Sequence, residues 1–160
     1  MEFIEGENLS QSIKRIALSR NPDGNSGEYA KIETAGETLA KVHSRNMTLG
    51  DTKPENMIIN PKGDIYLIDF EQSTQDGDKA WDIAEFLYYS GHYLQPLYSN
   101  VKAEAIVKSF IKGYLKAGGN PIDIKKAGAS KYTRVFSVFT MPPVIKLISN
   151  ICKKTESNIR

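Results

Sequence analysis

Asp51, Asn56 and Asp69 place three oxygen-bearing side chains within one short stretch, LGDTKPENMIINPKGDIYLIDFE. Asp51 and Asn56 share a polar segment, whereas Asp69 follows two apolar runs, MIIN and IYLIDF, which the turn sequence PKGD separates. Short β-rich runs on either side of such a turn predict a β-hairpin, which returns the chain to its starting point. Asp69 is then expected beside Asn56, with Asp51 one loop-width away. Two carboxylates and an amide oxygen at a strand end suit Mg²⁺ held together with phosphate.

The elements that must position these side chains are mainly helical. Apolar residues recur at helical spacing in four stretches, the last of which is closed by GGNP, a strong helix stop. The region through YTRVFSVFTMPPVIKLISNI predicts two further helices, broken at Pro142-Pro143. With the hairpin as the only strand pair, the predicted fold class is α+β, mainly α. The four helices are predicted over Leu9–Leu18, Glu28–Asn46, Asp78–Ser90 and Val101–Ala117.

Composition and charge exclude several function classes. A chain of 160 residues is long enough for one domain with a hydrophobic core. The formal net charge of +2 is too small to indicate nucleic acid or an acidic membrane surface as a direct partner. Cys152 is the only cysteine, which excludes an internal disulfide and a cysteine metal cluster and fits a reducing cytosol. No apolar run approaches the roughly 20 residues of a membrane span, so the sequence predicts a soluble, cytoplasmic protein.

Two motifs resemble those of the protein-kinase-like superfamily. DTKPEN, Asp51 to Asn56, is similar to the family's catalytic loop D-x-K-P-x-N. IDFE, Ile68 to Glu71, resembles its metal-binding D-F-G, with Glu in place of Gly. The order and spacing of the two motifs also match the family pattern. The resemblance implies an ATP-dependent phosphotransferase that uses ATP and Mg²⁺, or Mn²⁺, and passes the γ-phosphate to a hydroxyl.

The resemblance also implies a role for each site residue. Asp51 would accept or orient the proton of the attacking hydroxyl, and Lys53 would neutralise charge on the phosphoryl group in transit. Asn56 and Asp69 would hold the metal ion on the nucleotide phosphates. Asp82, in a stretch similar to the family's central helix, would brace the backbone of the catalytic loop.

The N-terminal sequence MEFIEGENL resembles the hinge segment of the same family, from which backbone amides usually grip adenine. The resemblance implies adenine contacts at Glu2, Phe3 and Ile4. It divides the chain into a hinge segment at 1–8, a kinase-like C-terminal lobe at 9–152 and a frayed tail at 153–160. Because the glycine-rich loop and the strand lysine of a kinase precede its hinge, we expect the N-terminal lobe to be absent.

An absent lobe has two expected consequences. Apolar side chains that it would cover, at Phe3, Ile4, Met57 and Ile59, should be partly exposed and should favour self-association or a partner on that face. Residues 1–160 alone should bind magnesium nucleotide weakly and transfer no phosphate at a useful rate, because the missing lobe supplies the phosphate-pairing lysine and the covering loop.

Departures from the conventional pattern indicate an atypical kinase. Leu-Gly stands before Asp51 where conventional kinases have His-Arg, and the segment between Asp69 and Asp82 is too short for a long activation segment. These features and DKAWD resemble the small RIO-like and KEOPS-complex kinases, whereas IDFE and WDIAEF also resemble choline and aminoglycoside kinases. The retained Lys53 favours a serine/threonine protein kinase with a protein substrate over one with a small-molecule alcohol as acceptor.

Non-catalytic interpretations stay open beside this one. A kinase-like lobe could serve as a docking module, with nucleic acid reached only indirectly through an RNA-modification complex. Asp and Asn also favour turns and strand ends without any ligand, and Lys53 could be ordinary surface charge. Asp82 could only place a negative charge near a helix N-terminus. His43 lies on the buried face of a predicted helix, which favours a core histidine over a catalytic base.

Overall fold

The computed structural model describes residues 4–21, 25–94 and 99–155. These residues form a mainly helical fold with two small antiparallel sheets, so the predicted α+β, mainly α class is confirmed. Within them, no helix is both long and apolar enough to cross a membrane. Glu2 and Phe3 of the predicted hinge lie outside the described residues.

The described residues form seven α-helices. Helix α1 has the predicted bounds, and α2, α3 and α4 begin and end within two residues of theirs. Helix α7 extends two residues into the segment predicted to be a frayed tail. The bounds are α1 (Leu9–Leu18), α2 (Ser26–Ser44), α3 (Lys79–His92), α4 (Ser99–Lys116), α5 (Pro121–Ala127), α6 (Ser130–Phe136) and α7 (Pro142–Lys154).

Helix α5 is missing from the sequence-based prediction because its start signal coincides with the stop signal of α4. The Asn120 side chain accepts a hydrogen bond from the Ile122 backbone N–H at 2.9 Å, and Pro121 occupies the first helical position, where its missing N–H costs no hydrogen bond. Pro142-Pro143 likewise begins α7 rather than interrupting a helix. Proline at the first helical position therefore marks the start of both α5 and α7, after a polar cap at Asn120 and without a side-chain cap at Met141.

The described residues also form five short strands. Strands β3 and β4 make the predicted hairpin, with Met57 opposite Leu67 and Ile59 opposite Ile65. The expectation of a single strand pair is wrong, because β1 pairs with β3 and β2 pairs with β5, all antiparallel. Two-residue strands are too short to show the alternation that identifies a strand in a sequence. The strands are β1 (Glu7–Asn8), β2 (Met47–Thr48), β3 (Met57–Ile59), β4 (Ile65–Leu67) and β5 (Thr74–Gln75).

The face of the hairpin that is exposed to solvent is not the one expected from the sequence. Met57 is fully buried and Ile59 is 4% exposed, so the expectation that they are uncovered is wrong. Successive strand residues point to opposite faces. Ile58, its partner Tyr66 and the following Ile68 therefore share the opposite side, which we call the outer sheet face. Tyr66 is 43% and Ile68 38% exposed there.

Helices α2 and α4 approach each other closely enough to require glycine. A Cβ atom on Gly36 would lie 2.2 Å from the Phe110 carbonyl oxygen, and one on Gly113 would lie 1.9 Å from the Glu33 carbonyl oxygen. These distances are far shorter than a van der Waals contact. The two glycines thus permit the close contact between α2 and α4, the two longest helices.

Helix α3 lies at the centre of the fold. Ten of its fourteen residues are buried, and two of the ten, Asp82 and Glu85, carry carboxyl groups. Carboxylates are rarely buried without a partner, because moving a charge out of water is costly. Their partners lie in the loop between β2 and β3, which contains the predicted catalytic residues.

Candidate functional site

The backbone of the loop at residues 49–53 is held by the Asp82 carboxylate of helix α3. Oδ2 of Asp82 accepts the Leu49 backbone N–H at 2.8 Å, and Oδ1 accepts the Gly50 N–H, also at 2.8 Å. Trp81, the preceding helix residue, donates from Nε1 to the Gly50 carbonyl oxygen at 3.1 Å. Asp82 is fully buried. One turn of α3 thus holds both the donor and the acceptor of Gly50 and fixes the chain just before Asp51.

A buried histidine supports the same carboxylate. His43 Nε2 lies 3.0 Å from Asp82 Oδ2, and His43 Nδ1 lies 2.8 Å from the Tyr114 hydroxyl. Burial raises the pKa of Tyr114, so its hydroxyl stays protonated. A His43 tautomer that carries its proton on Nε2 makes both contacts hydrogen bonds, from Nε2 to Asp82 and from the Tyr114 hydroxyl to Nδ1. His43 is 3% exposed, which agrees with a core histidine and not with a catalytic base.

A second carboxyl group, which the sequence analysis does not single out, holds the loop one residue beyond Asp51. Oε2 of Glu85 accepts the Thr52 backbone N–H at 2.7 Å and lies 3.2 Å from Thr52 Oγ1. The Thr52 hydroxyl donates to the Asp82 carbonyl oxygen at 2.6 Å. Glu85 follows Asp82 by three residues, and helical residues three apart share a face. That spacing is the signal by which the sequence could have identified Glu85.

The environment of Glu85 makes its charge sensitive to pH. Burial raises the pKa of Glu85 to about 7, and the nearby Asp51 carboxylate acts in the same direction. The Thr52 N–H and the Lys53 ammonium oppose that rise. The carboxyl group therefore changes its ionisation near neutral pH while it contacts the loop.

Asp51 and Lys53 lie together at the open side of this loop. Lys53 Nζ donates to Asp51 Oδ2 at 3.4 Å and lies 3.3 Å from Oδ1. Oδ1 is buried, yet within the described residues it accepts no hydrogen bond of normal geometry. Burial acts to lower the pKa of Lys53, but the Asp51 carboxylate outweighs it and the pKa is raised. Lys53 is thus a cation, and it also lies 5.4 Å from the ring centroid of Tyr89.

Asn56 and Asp69 come from the two ends of the hairpin. Asn56 ends a short 3-10 helix, Pro54–Asn56, and its Nδ2 donates to the Asp51 carbonyl oxygen at 3.3 Å, whereas its Oδ1 accepts no hydrogen bond from the part of the chain that the structure describes. Its own carbonyl oxygen accepts the Ile68 N–H at 3.0 Å. That bond brings the backbone next to Asp69 against Asn56. Asp69 is exposed and has φ 62°, a conformation that only a few per cent of non-glycine residues adopt.

The donor set at the hairpin base fits a magnesium nucleotide better than a free-standing metal site. Among the described residues, no group of three or more His, Cys, Asp or Glu side chains is placed to hold a metal ion. Mg²⁺ is usually held by one or two carboxylates and completed by substrate phosphates and water. One carboxylate, at Asp69, and one amide oxygen, at Asn56, are compatible with that chemistry.

The predicted hinge is described only in part. Ile4 is half-buried, and the chain then enters β1, where Glu7 lies opposite Ile59 and Asn8 opposite Ile58. A Cβ atom on Gly6 would lie 2.4 Å from the Ile59 carbonyl oxygen, so only glycine fits between the segment and β3. Residues 6–8 of the predicted hinge segment therefore run along the β3 edge of the hairpin. Adenine contacts at Glu2, Phe3 and Ile4 stay a prediction.

Comparisons with known proteins give partial similarity to protein kinases. No protein-family model matches the chain. It is 32% identical over 82 residues to a dual specificity protein kinase, zakA, of Dictyostelium discoideum, and 31% identical over 85 residues to a cAMP-dependent protein kinase catalytic subunit of Arthrobotrys oligospora. It is 27% identical over 99 residues to a probable serine/threonine-protein kinase, PknB, of Lactococcus lactis.

These alignments cover 51%, 52% and 60% of the chain, and only 10%, 15% and 15% of the respective relatives. The chain therefore spans a small part of the length of the curated relatives that it matches. The partial similarity supports a relation to the kinase-like superfamily and a kinase-like function at the family level.

Proposed function

We propose that the chain is the catalytic lobe of an ATP-dependent phosphotransferase, an atypical serine/threonine protein kinase that transfers the γ-phosphate to a hydroxyl. The observation that carries the proposal is the loop at residues 49–53. Carboxyl groups of α3 accept three of its backbone N–H groups, those of Leu49, Gly50 and Thr52, and the loop presents Asp51 beside Lys53. Phosphoryl transfer depends mostly on positioning and on electrostatic stabilisation, which is what such a loop supplies.

In this proposal Asp51 is the proton acceptor. Its Oδ1 is buried beside Lys53 and makes no hydrogen bond of normal geometry within the described residues, so the carboxylate keeps an unused acceptor atom that a turn of the Asp51 side chain would present to the hydroxyl of the acceptor molecule. As the hydroxyl oxygen bonds to phosphorus and the bond to the leaving oxygen breaks, the hydroxyl proton passes to the Asp51 carboxylate. Lys53, held 3.3 Å from the same oxygen, places a positive charge where the transferred phosphoryl group carries negative charge.

The proposal assigns the metal ion to Asn56 and Asp69. Bound there with the nucleotide, Mg²⁺ or Mn²⁺ would neutralise charge on the phosphates. The Asn56 amide contributes Oδ1, because its Nδ2 is engaged by the Asp51 carbonyl oxygen. Asp69 has a positive φ, which is a strained conformation for a residue other than glycine. Such strained positions cluster at functional sites, which supports a role for its carboxylate.

The acceptor class follows from Lys53. A lysine at this position of the loop supports a protein hydroxyl as acceptor, and we place a small-molecule alcohol second. The outer sheet face, with Tyr66 and Ile68 exposed, favours a docking function in addition, through self-association or a partner protein.

Radiolabelled phosphate transfer from γ-labelled ATP and Mg²⁺ tests the proposal. The 160-residue chain and a version extended by any in-frame coding sequence that its gene carries upstream of Met1 are each offered serine- and threonine-containing peptides, choline and an aminoglycoside. We expect peptide labelling by the extended chain, little by the short chain, and a loss of at least about 100-fold in rate for Asp51→Asn, the scale of general-base catalysis.

Asp69→Asn should abolish the same labelling. Asp76→Asn is its matched control, because Asp76 is also exposed and has a positive φ of 53°. Labelling of choline or the aminoglycoside alone would move the assignment to a small-molecule kinase. An extended chain that is indifferent to Asp51→Asn and Asp69→Asn would refute the proposed site.

A further inference from the structure

We infer that Glu85 is a positioning residue of the phosphotransfer loop, which sets the direction of Asp51 and the place of Lys53 through its hydrogen bond to Thr52. The inference rests on the proposed function, since it assigns a role within the same reaction. Glu85 does not contact the reacting groups itself. It acts through the peptide unit that joins Asp51 to Thr52.

The geometry supports this role. The Thr52 N–H belongs to the peptide group whose carbonyl carbon is that of Asp51, so a bond of 2.7 Å to Glu85 fixes the plane of that peptide group. Thr52 is 1% exposed and Glu85 is 5% exposed, so water does not readily replace this partner. Asp82 fixes the chain before Asp51 and Glu85 fixes it after Asp51. With only one of the two anchors, the backbone at Asp51 would be free to rotate on its other side, and the direction of the Asp51 side chain would not be fixed.

The charges around Glu85 couple it to both loop residues. The Asp51 carboxylate repels the ionised form of Glu85 and the Lys53 ammonium attracts it. On helix α3, Asp82 precedes Glu85 by three residues and Tyr89 follows it by four, on the same side of the helix. Because burial raises the pKa of Glu85 to about 7, the bond to Thr52 becomes charge-assisted as pH rises through neutrality. Ionisation strengthens this one bond, but burial and the Asp51 charge cost the ionised form more than the bond returns, which is why the pKa is raised. We therefore expect the loop to be held less firmly above pH 7 than below it.

Two substitutions separate geometry from charge. Glu85→Ala removes the acceptor, and a misplacement of about 1 Å can cost about 100-fold in rate, which is the loss that we expect in kcat with little change in KM for the nucleotide. Glu85→Gln keeps a neutral acceptor for the Thr52 N–H. We expect it to transfer at the rate that the unsubstituted protein shows at pH 6, without the fall that the loosening of the loop causes in the unsubstituted protein between pH 6 and 8. Tyr88→Phe is the control, because it removes another buried hydrogen bond of α3, from Tyr88 to the Ala127 carbonyl oxygen at 3.1 Å.

A second readout needs no activity. In the ¹⁵N-labelled 160-residue chain, the amide resonance of Thr52 should shift with pH with a midpoint near 7, and this shift should disappear in Glu85→Gln and persist in Tyr88→Phe. If transfer is present and Glu85→Ala has an unchanged kcat, or if the Thr52 amide does not titrate, the role of Glu85 is refuted while the proposed function stands. If no acceptor is labelled by either chain length at any pH, the proposed function fails, and the role of Glu85 in transfer fails with it, even where Thr52 titrates.

Discussion

The loop that carries Asp51 and the segment that carries Asp69 reach the candidate site in different ways. The loop is held by buried groups, because Thr52 within it and its partner Asp82 on α3 are almost completely buried. The segment after β4 runs over the surface, where Phe70 is 53% exposed, and its turn is closed by bonds from Ser73 to the Phe70 carbonyl oxygen. The loop side of the site is therefore part of the buried core, whereas the Asp69 side lies on the surface.

The two sides meet at a glycine. Gly50 has φ 76°, and a Cβ atom on it would lie 2.6 Å from the carbonyl oxygen of Gln72 in the exposed segment. The place where a conventional kinase carries an arginine is thus filled by the backbone of the segment itself. Substitutions on the buried side should therefore lower stability and function together, whereas substitutions on the exposed side should act mainly on function.

The largest effect is expected at Asp82. Asp82→Ala leaves the Leu49 and Gly50 N–H groups and His43 without their shared acceptor in a buried place. Removing one member of a buried charged network costs about 3–5 kcal/mol, so we expect the free energy of unfolding to fall by that amount in urea titrations. Because such a loss can prevent folding altogether, Asp82→Asn, which keeps one acceptor oxygen, should give a smaller and measurable loss.

The control for this experiment is Asp78→Ala at the start of the same helix. Asp78 caps α3 by accepting the N–H groups of Ala80 and Trp81, and its side chain is 46% exposed. Loss of a helix cap costs about 1 kcal/mol. If Asp78→Ala destabilises the chain as much as Asp82→Ala does, Asp82 has no special part in holding the loop.

Sequence reasoning identified the parts of the site that one continuous stretch encodes. Asp51, Lys53 and Asn56 are recognised together because their spacing lies within six residues, and the hairpin follows from two apolar runs around a turn. Glu85 is missed because its partner Thr52 lies 33 residues away, and only the packing of α3 under the loop joins them.

The burial of the hairpin shows a second limit of the sequence. The run Met57–Ile59 is apolar at every position, so it contains no alternation from which the buried face can be assigned. The packing of the helices decides that Met57 and Ile59 face inward and that Ile58 faces outward. The sequence thus predicted an exposed apolar face on the hairpin but assigned it to Met57 and Ile59, whereas Tyr66 and Ile68 are the exposed residues.

An intermediate effect is expected at Asp69 on the exposed side. A left-handed backbone conformation costs an L-residue about 1 kcal/mol, and glycine adopts it freely. Asp69→Gly should therefore leave the free energy of unfolding unchanged or raise it by up to about 1 kcal/mol, while it removes the carboxylate that we propose as a ligand of the metal ion. Urea titrations and calorimetric titration with magnesium nucleotide measure the two quantities.

Asp76→Gly serves as the matched control for this substitution, because Asp76 has φ 53° and is also exposed. It should change stability in the same direction as Asp69→Gly and leave the binding of magnesium nucleotide as it is. A clear loss of stability in Asp69→Gly would mean that the exposed segment is anchored through the Asp69 side chain, so that the two sides of the site are held in the same way.

The smallest effect on stability is expected on the outer sheet face. Tyr66 and Ile68 are 43% and 38% exposed, and substitutions at exposed positions usually change stability by less than about 0.5 kcal/mol. Tyr66→Ser with Ile68→Ser should therefore leave unfolding almost unchanged. The same pair should reduce self-association at high protein concentration, measured by light scattering and sedimentation velocity, because it removes apolar area that a second copy or a partner would cover. Val138→Ser is the control, since Val138 is 80% exposed, belongs to the connection between α6 and α7 and not to the hairpin, and should leave association unchanged. A chain that is strictly monomeric before substitution, or one whose association Val138→Ser weakens as much as the double variant does, would show that the outer sheet face has no part in assembly.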